Sequence, residues 1–446
     1  MDFDAFTRDI KNNGWNVFGV EVYEDGVLTH HYGDTTGLHD IYSATKTILS
    51  VAVGIAYDEG LIDLHRSFLD YLPEDKLSKL DEERYERFKK ITVRRLLTMS
   101  VPGFPFRPEG DSYIDFALAC DIEDDNTFSY GNIPAYLIGV CLANAIGSDL
   151  GRFIEERIFA PLNITGFEYG RCPEGYFYGA SQMRLSVHDM SKIGLLLMNL
   201  GIYDGKRIVS EEYVRQAVSV QQPNREGGYG YFIWKYRDGF SINGKLKQKC
   251  YILPEKGLVI TYLSHIESDS HDLLDSMERN ILGLKRIIHA TEADREELLA
   301  LYKAQLGREF CPWTEDYPGN ETIDFDLSRD ALFVMKEYDR IIAAISLEED
   351  KEVDALDCWD RDLSPGGELA RLAVLPEKQG RGIAKQMMSF GMNAIRERGF
   401  KSIHFLVNKY NEKAIRAYSV FKFDVVGECH MFDQDFMCYE KALKES

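Results

Sequence analysis

The chain runs to 446 residues, 45% of them hydrophobic, and carries a formal net charge of −21. That length exceeds what one hydrophobic core usually organises, so more than one domain is expected. The acidic excess disfavours nucleic acid or an anionic membrane as a main partner.

Residues 1–10 hold an early acid and no apolar core, which reads as no signal peptide. The first chemistry-bearing string is Ser43-Ala44-Thr45-Lys46, followed by a helical apolar pattern at Ile48, Val51, Ala52, Ile55 and Ala56 that ends at Gly60. A serine at a helix start has free backbone N–H groups beside it and a dipole that favours an oxyanion. Lys46 falls on the same face one turn later. Buried among apolar neighbours, it would lose its proton readily and could take one from a serine hydroxyl. The apolar runs at 48–57 and 136–146 fall short of the roughly 18 residues of a membrane span.

Ser129-Tyr130-Gly131-Asn132 then precedes an apolar helix at 133–143. Together with the strings at 91–100, 159–166 and 178–190, these motifs resemble the serine β-lactamase and penicillin-binding-protein superfamily, in its class C β-lactamase-like esterase branch, across residues 1 to about 282. The resemblance implies an α/β domain: an antiparallel sheet flanked by helices, plus an all-helical region. It implies Ser43 and Lys46 as the reacting pair, Tyr130 as a proton relay, and Asn132 as the group that orients substrate and bonds Lys46. The family's Lys/His-x-Gly strand corresponds to Ile242-Asn243-Gly244. Gly244 would let that strand lie close to substrate, and the N–H of Lys245 would be a second oxyanion donor beside that of Ser43. Ile242 removes the cation or donor that meets a carboxylate, and Leu246-Lys247-Gln248 is bulkier than the family's Gly-Gly-Gln. Penicillin-type substrates are therefore disfavoured and an ester or small amide preferred, with a blocked, inactive pocket as the alternative.

A strand pattern at 257–264 and a helical one at 271–282 precede Gly283, and a new strand and helix follow it. Domains of 1–283 and 284–446 are expected. In the second, 368–375 reads as a strand, Pro376 as its stop, 379–384 as a Gly-rich turn and 385–390 as a helix. Such a turn aims backbone N–H groups outward at a helix N-terminus, where an anion is favoured, and Gly380 and Gly382 let a phosphate approach. Walker and dinucleotide spacings are absent. The Gln/Arg-x-x-Gly-x-Gly/Ala signature, with 405–423 and 287–294 on either side, resembles the GNAT superfamily of N-acetyltransferases; Lys422 stands where that family usually has Gly.

This second resemblance implies an α+β fold whose mixed, mostly antiparallel sheet has splayed central strands, and acetyl-CoA as co-substrate. The backbone of Leu372, Ala373 and Val374 would align the pantetheine arm, and Gln379, Gly380, Arg381, Gly382, Ile383 and Ala384 would hold the pyrophosphate. Asn411 would bond that arm or cap the following helix. Tyr418 would protonate the departing thiolate, and Glu368 would serve as base for the attacking amine. Residues 311–318 and the acids around Trp359 suit a cationic amine, or are solvated loops. Eight Cys without a C-x-x-C pair read as reduced thiols, and ten His without H-E-x-x-H spacing give no metal site. The expectation is a bifunctional cytoplasmic enzyme acting on small molecules, without nucleic acid, membrane or metal. The alternative is an acetyltransferase whose N-terminal half only binds a ligand.

Overall fold

The computed structural model describes residues 1–309, 311, 313–348 and 350–443. The chain divides into two compact units, one of Ile10–Ser270 and one of His271–Ser446 with Met1–Asp9.

The first unit holds a six-stranded antiparallel sheet built from β1 (Val17–Glu24), β2 (Val27–Gly33), β3 (Trp234–Tyr236), β4 (Gly239–Gly244), β5 (Gln248–Leu253) and β6 (Leu258–Ser264). Its spatial order is β2-β1-β6-β5-β4-β3. Two apolar helices, α1 (Thr45–Asp58) and α2 (Ile133–Ile146), form the heart of the helical region. Both are hydrophobic around most of their circumference, as a helix enclosed on all sides must be. Helix α2 opens with Pro134 in its first turn and stops at Gly147, whose φ of +64° caps the end. A third helix, α3 (Val187–Met198), lies on the sheet. Its Gly194 permits that approach, because a Cβ there would fall 2.6 Å from Cys250 Sγ on β5. One continuous core joins α1, α2 and α3 to Ile242, Cys250 and Ile252 of the sheet.

The second unit is organised by seven strands: β7 (Arg286–His289), β8 (Leu332–Glu337), β9 (Arg340–Glu348), β10 (Gly366–Val374), β11 (Ser402–Asn408), β12 (Asp424–Met431) and β13 (Gln434–Ala442). They lie in the order β7-β8-β9-β10-β11-β13-β12, antiparallel except for β10 and β11. That parallel pair is joined only from Gly366–Ser402 to Glu368–His404, after which the strands diverge. A register shift against β9 and a φ of +50° at Arg371 mark the place where β10 bends away. Helices α4 (Arg295–Lys303) and α5 (Asn320–Leu327) pack Leu298, Leu301 and Ile323 against Val334, Ala344 and Ala373. Helix α6 (Ile383–Glu397) buries Ile383, Met387, Met388 and Ile395 in a separate core, with Ile345, Ile403 and Phe405. Helix α7 (Glu412–Ser419) starts at Asn411, whose Oδ1 accepts from Ala414 N–H at 3.0 Å. In the Met1–Asp9 segment, the Asp9 carboxylate accepts from Ser276 Oγ (2.6 Å) and Asn280 Nδ2 (3.0 Å) of the helix Asp272–Asn280. Among the described residues no single helix is long and apolar enough to cross a membrane.

Candidate active sites

Ser43 sits in the 3-10 turn Tyr42–Ala44 that runs into α1. Tyr42 holds a φ of +48°, uncommon for a residue with a side chain, so the turn that presents the serine is strained. Lys46 is 1% exposed. Its Nζ donates to Ser43 Oγ (3.1 Å), Asn132 Oδ1 (2.8 Å) and the Ala180 carbonyl (2.7 Å). Burial drops the lysine from its ordinary 10.5 to about 7. In the neutral form, two N–H bonds to Asn132 and Ala180 leave the lone pair facing the Ser43 hydroxyl.

The Tyr130 phenol reaches Ser43, and burial pushes it up to about 12, so it stays protonated near neutrality. Its ring lies 5.2 Å from Lys46 Nζ and 5.3 Å from the Trp234 ring. Asn132 is fixed by its backbone N–H to the Phe106 carbonyl (2.6 Å) and is reached by the Tyr178 hydroxyl. Gly244 ends β4 against the turn before Ser43; a Cβ on it would lie 2.2 Å from the Ile41 carbonyl oxygen. Lys245 follows, exposed. Ile242 is 2% exposed within the apolar core. Tyr178 and Ala180 fall in the 178–190 string, but residue pattern assigns neither a role beside Lys46 and Asn132; a main-chain acceptor has no signature in residue type.

A cavity of about 1110 Å³ opens in the second unit, where β10 ends and α6 and α7 begin. Leu372, Val374, Gln379, Gly380, Gly382, Ile383, Ala384, Asn411 and Tyr418 line it. Gly380 and Gly382 both have φ of +76°, and an added Cβ at either would meet no atom within 4 Å. No side chain caps the start of α6, leaving its first N–H groups available. Gln379 is held by Arg308 Nη2 donating to its Oε1 (3.0 Å), while its Nε2 donates to the Val374 carbonyl (3.1 Å). Arg308, Lys385 and Arg416 add positive charge to the lining. A long, partly apolar ligand with a terminal anion fits this surface. Arg308 lies in an irregular stretch, where periodicity offers no warning of it.

Ala373 and Arg381 are not part of that lining. Ala373 is 2% exposed beneath α4, and Arg381 points to solvent. Tyr418 stands edge-on to Phe405 at 5.4 Å, and burial pushes its phenol up to about 12. Glu368 lies outside the cavity lining, 7% exposed at the fork of β10 and β11 and in register with His404. The His404 Nε2 is 3.1 Å from Asp354 Oδ1, near enough for the charge to act. Burial holds that imidazole below its ordinary pKa against the pull of Asp354 and Glu440. Among the described residues no group of three His, Cys, Asp or Glu could hold a metal ion.

A family model described as Beta-lactamase matches residues 17–281, and one described as Acetyltransferase (GNAT) family matches 296–423. Among solved structures, the chain is similar to a Bacillus anthracis protein assigned as a 6-aminohexanoate-dimer hydrolase, with 19% identity and a TM-score of 0.52 over 61% of this chain and 79% of that one. It is also similar to a protein assigned as a beta-lactamase from Bacteroides dorei (17%, 0.51, 60% and 91%). A beta-lactamase/D-alanine carboxypeptidase from Pseudomonas syringae gives 13%, 0.51, 62% and 97%. At such identities the likeness is one of fold. No curated protein matches the chain. Through residues 17–281, more than half its length, the chain belongs to the beta-lactamase family, and at 296–423 it carries a GNAT-family acetyltransferase domain.

Proposed function

We propose that the protein is a bifunctional cytoplasmic enzyme. Residues 1–283 hydrolyse a small ester or amide through Ser43, and residues 284–446 transfer the acetyl group of acetyl-CoA to a small-molecule amine. The observation that carries the hydrolase reading is a buried lysine, titrating at about 7, with its nitrogen 3.1 Å from a serine oxygen.

Neutral Lys46 accepts the Ser43 proton as Oγ attacks the acyl carbonyl. The N–H groups of Ser43 and Lys245 receive the developing oxyanion. Tyr130 relays the proton from Lys46 to the departing alcohol or amine, and water then attacks the acyl-serine with the same groups acting in reverse. Asn132 holds Lys46 in place and offers its amide to the substrate. Apolar Ile242 gives a carboxylate no partner, which favours a neutral ester or amide over a penicillin.

In the second domain, the turn Gln379 to Ala384 and the start of α6 hold the pyrophosphate, supplemented by Arg308, Lys385 and Arg416. The main chain of Leu372, Ala373 and Val374 aligns the pantetheine arm. When bound, acetyl-CoA supplies an activated thioester. Glu368, set back from the cavity lining, takes the amine's proton through water, and Tyr418, protonated at neutral pH, donates to the departing thiolate.

Labelling with a fluorophosphonate probe, wild type against Ser43→Ala, tests the first half; without Ser43-dependent label the N-terminal domain is a ligand-binding module. Thiol release from acetyl-CoA across a panel of amines tests the second, and no release with any amine removes the transferase.

A further inference from the structure

Three thiols meet on one face of the C-terminal sheet. Cys429 on β12 pairs with Phe436, and Cys438 on β13 pairs with Gly427, so the two cysteines share a face. Gly427 leaves a gap between the strands, and Cys358, from the segment joining β9 to β10, fills it. A Cβ built on Gly427 would fall 2.7 Å from Cys358 Cβ and 3.5 Å from its Sγ. Cys358 therefore takes the place of a side chain directly opposite Cys438. Cross-strand Cβ atoms lie about 4.5–5.5 Å apart, and a disulfide needs about 3.5–4.5 Å, within a small adjustment of the segment. The Cys438 thiol is in hydrogen-bonding contact with both Cys358 and Cys429. Cys429 lies diagonally from Cys438, with Cα atoms about 7–8 Å apart in a regular ladder, beyond the roughly 7 Å that a disulfide spans without backbone movement. Cys358 and Cys429 are partly exposed and Cys438 is buried.

The segment that carries Cys358 covers buried titratable groups. Trp359 stacks on His404 with centroids 4.6 Å apart, and its Nε1 donates to the Val353 carbonyl at 2.7 Å. The Asp360 N–H donates to Glu440 Oε2 (2.9 Å), and Ser402 Oγ donates to Glu440 Oε1 (3.0 Å). Glu368, His404 and Glu440 stand in one transverse row, since Glu368 pairs with His404 and His404 with Glu440.

We propose that Cys358 and Cys438 form a reversible disulfide under oxidising conditions, a redox clamp that fastens residues 350–365 over the His404 and Glu440 row. Hydrogen peroxide converts the partly exposed Cys358 thiol to a sulfenic acid and leaves as water. The Cys438 thiol then attacks that sulfur, the S–S bond forms, and the sulfenic oxygen departs with the thiol proton as a second water. The two thiols give up two electrons and two protons, and the peroxide takes them. A dithiol reverses the bond by exchange. Burial first, and then the neighbouring thiols, raise Cys438 above its ordinary pKa. Closure is therefore slow, and answers sustained rather than brief oxidant. The clamp rests on sheet geometry and not on either proposed activity.

The full chain is treated with hydrogen peroxide, alkylated under denaturing conditions and mapped by mass spectrometry. The expected result is a loss of about 2 Da, disappearance of two of the eight alkylatable thiols, and a linked peptide pair holding Cys358 and Cys438 that dithiothreitol separates. Cys358→Ser abolishes the link and Cys429→Ser retains it. Hydrogen exchange across 350–365 slows by about threefold or more on oxidation of wild type and not of Cys358→Ser. Over-oxidation of Cys358 without a link, a link between any other pair, or unchanged exchange in the linked protein overturns the clamp.

Discussion

Lys46 makes a quantitative claim on pH. Its fall from 10.5 to about 7 favours the neutral amine by about 5 kcal/mol, at about 1.36 kcal/mol per unit. With that amine as base, Ser43-dependent ester hydrolysis should climb about tenfold per pH unit below 6, bend near 7 and level off by about 9. A lysine left at its ordinary value would be neutral in only about one molecule in 3,000 at pH 7. The assay is kcat/KM for p-nitrophenyl acetate across that range, with the Ser43→Ala rate subtracted. The same burial sets the direction of stability. Between about 7 and 10.5 the unfolded chain holds a proton that the folded chain lacks, so stability rises with pH across that window, and the group's full penalty applies below it. Lys46→Met should remove that rise and lower hydrolysis by about 100-fold or more. A rate that shows no bend near 7 and keeps climbing to about 10, or a Met variant as active as wild type, refutes the assignment.

Gly382→Val places a branched side chain at a φ of +76° on the cavity wall; calorimetry should show acetyl-CoA binding weakened about tenfold or more, and an unchanged affinity counts against the pyrophosphate site. Tyr418→Phe should lower kcat for acetyl transfer by about 100-fold with the KM for acetyl-CoA within about twofold, whereas an equal kcat removes Tyr418 as the acid. Asp326 is fully buried and accepts from Arg371 Nη2 (2.7 Å), Arg329 Nη2 (3.2 Å) and Ser346 Oγ (2.7 Å). Asp326→Ala takes that shared carboxylate from two guanidinium groups and should cost about 3–5 kcal/mol in denaturant unfolding; a loss under about 1 kcal/mol contradicts this. Gly54→Ala brings a Cβ to 2.5 Å from Tyr213 Cδ1, and overpacking should cost about 1–3 kcal/mol in the same assay.

What the sequence disclosed is what short spacing controls. Ser43 and Lys46 are one helical turn apart and meet at 3.1 Å. Gly380 and Gly382 mark a strand-to-helix turn, and Asn411 caps the helix that follows it. Sheet register hides the rest, because it joins residues distant along the chain. Glu368, His404 and Glu440 come together only once β10, β11 and β13 are aligned, and Cys358 reaches Cys438 only across the gap at Gly427. The split within 372–374 follows from strand alternation: Leu372 and Val374 face the cavity while Ala373 packs beneath α4. Arg308 sits in an irregular segment, and the Ala180 contact uses a carbonyl that any residue would supply.

The closed setting of Ile242 has an evolutionary consequence. A lysine or histidine introduced there would bring charge into a place 2% exposed, among Cys250 and Ile252, at a cost of several kcal/mol. On the proposed hydrolase reading, a single substitution to lysine at this position is therefore a costly route to carboxylate-bearing acyl donors. Diversification is easier at the rim, where Phe106 is 57% exposed and a change of size leaves the fold's stability nearly untouched.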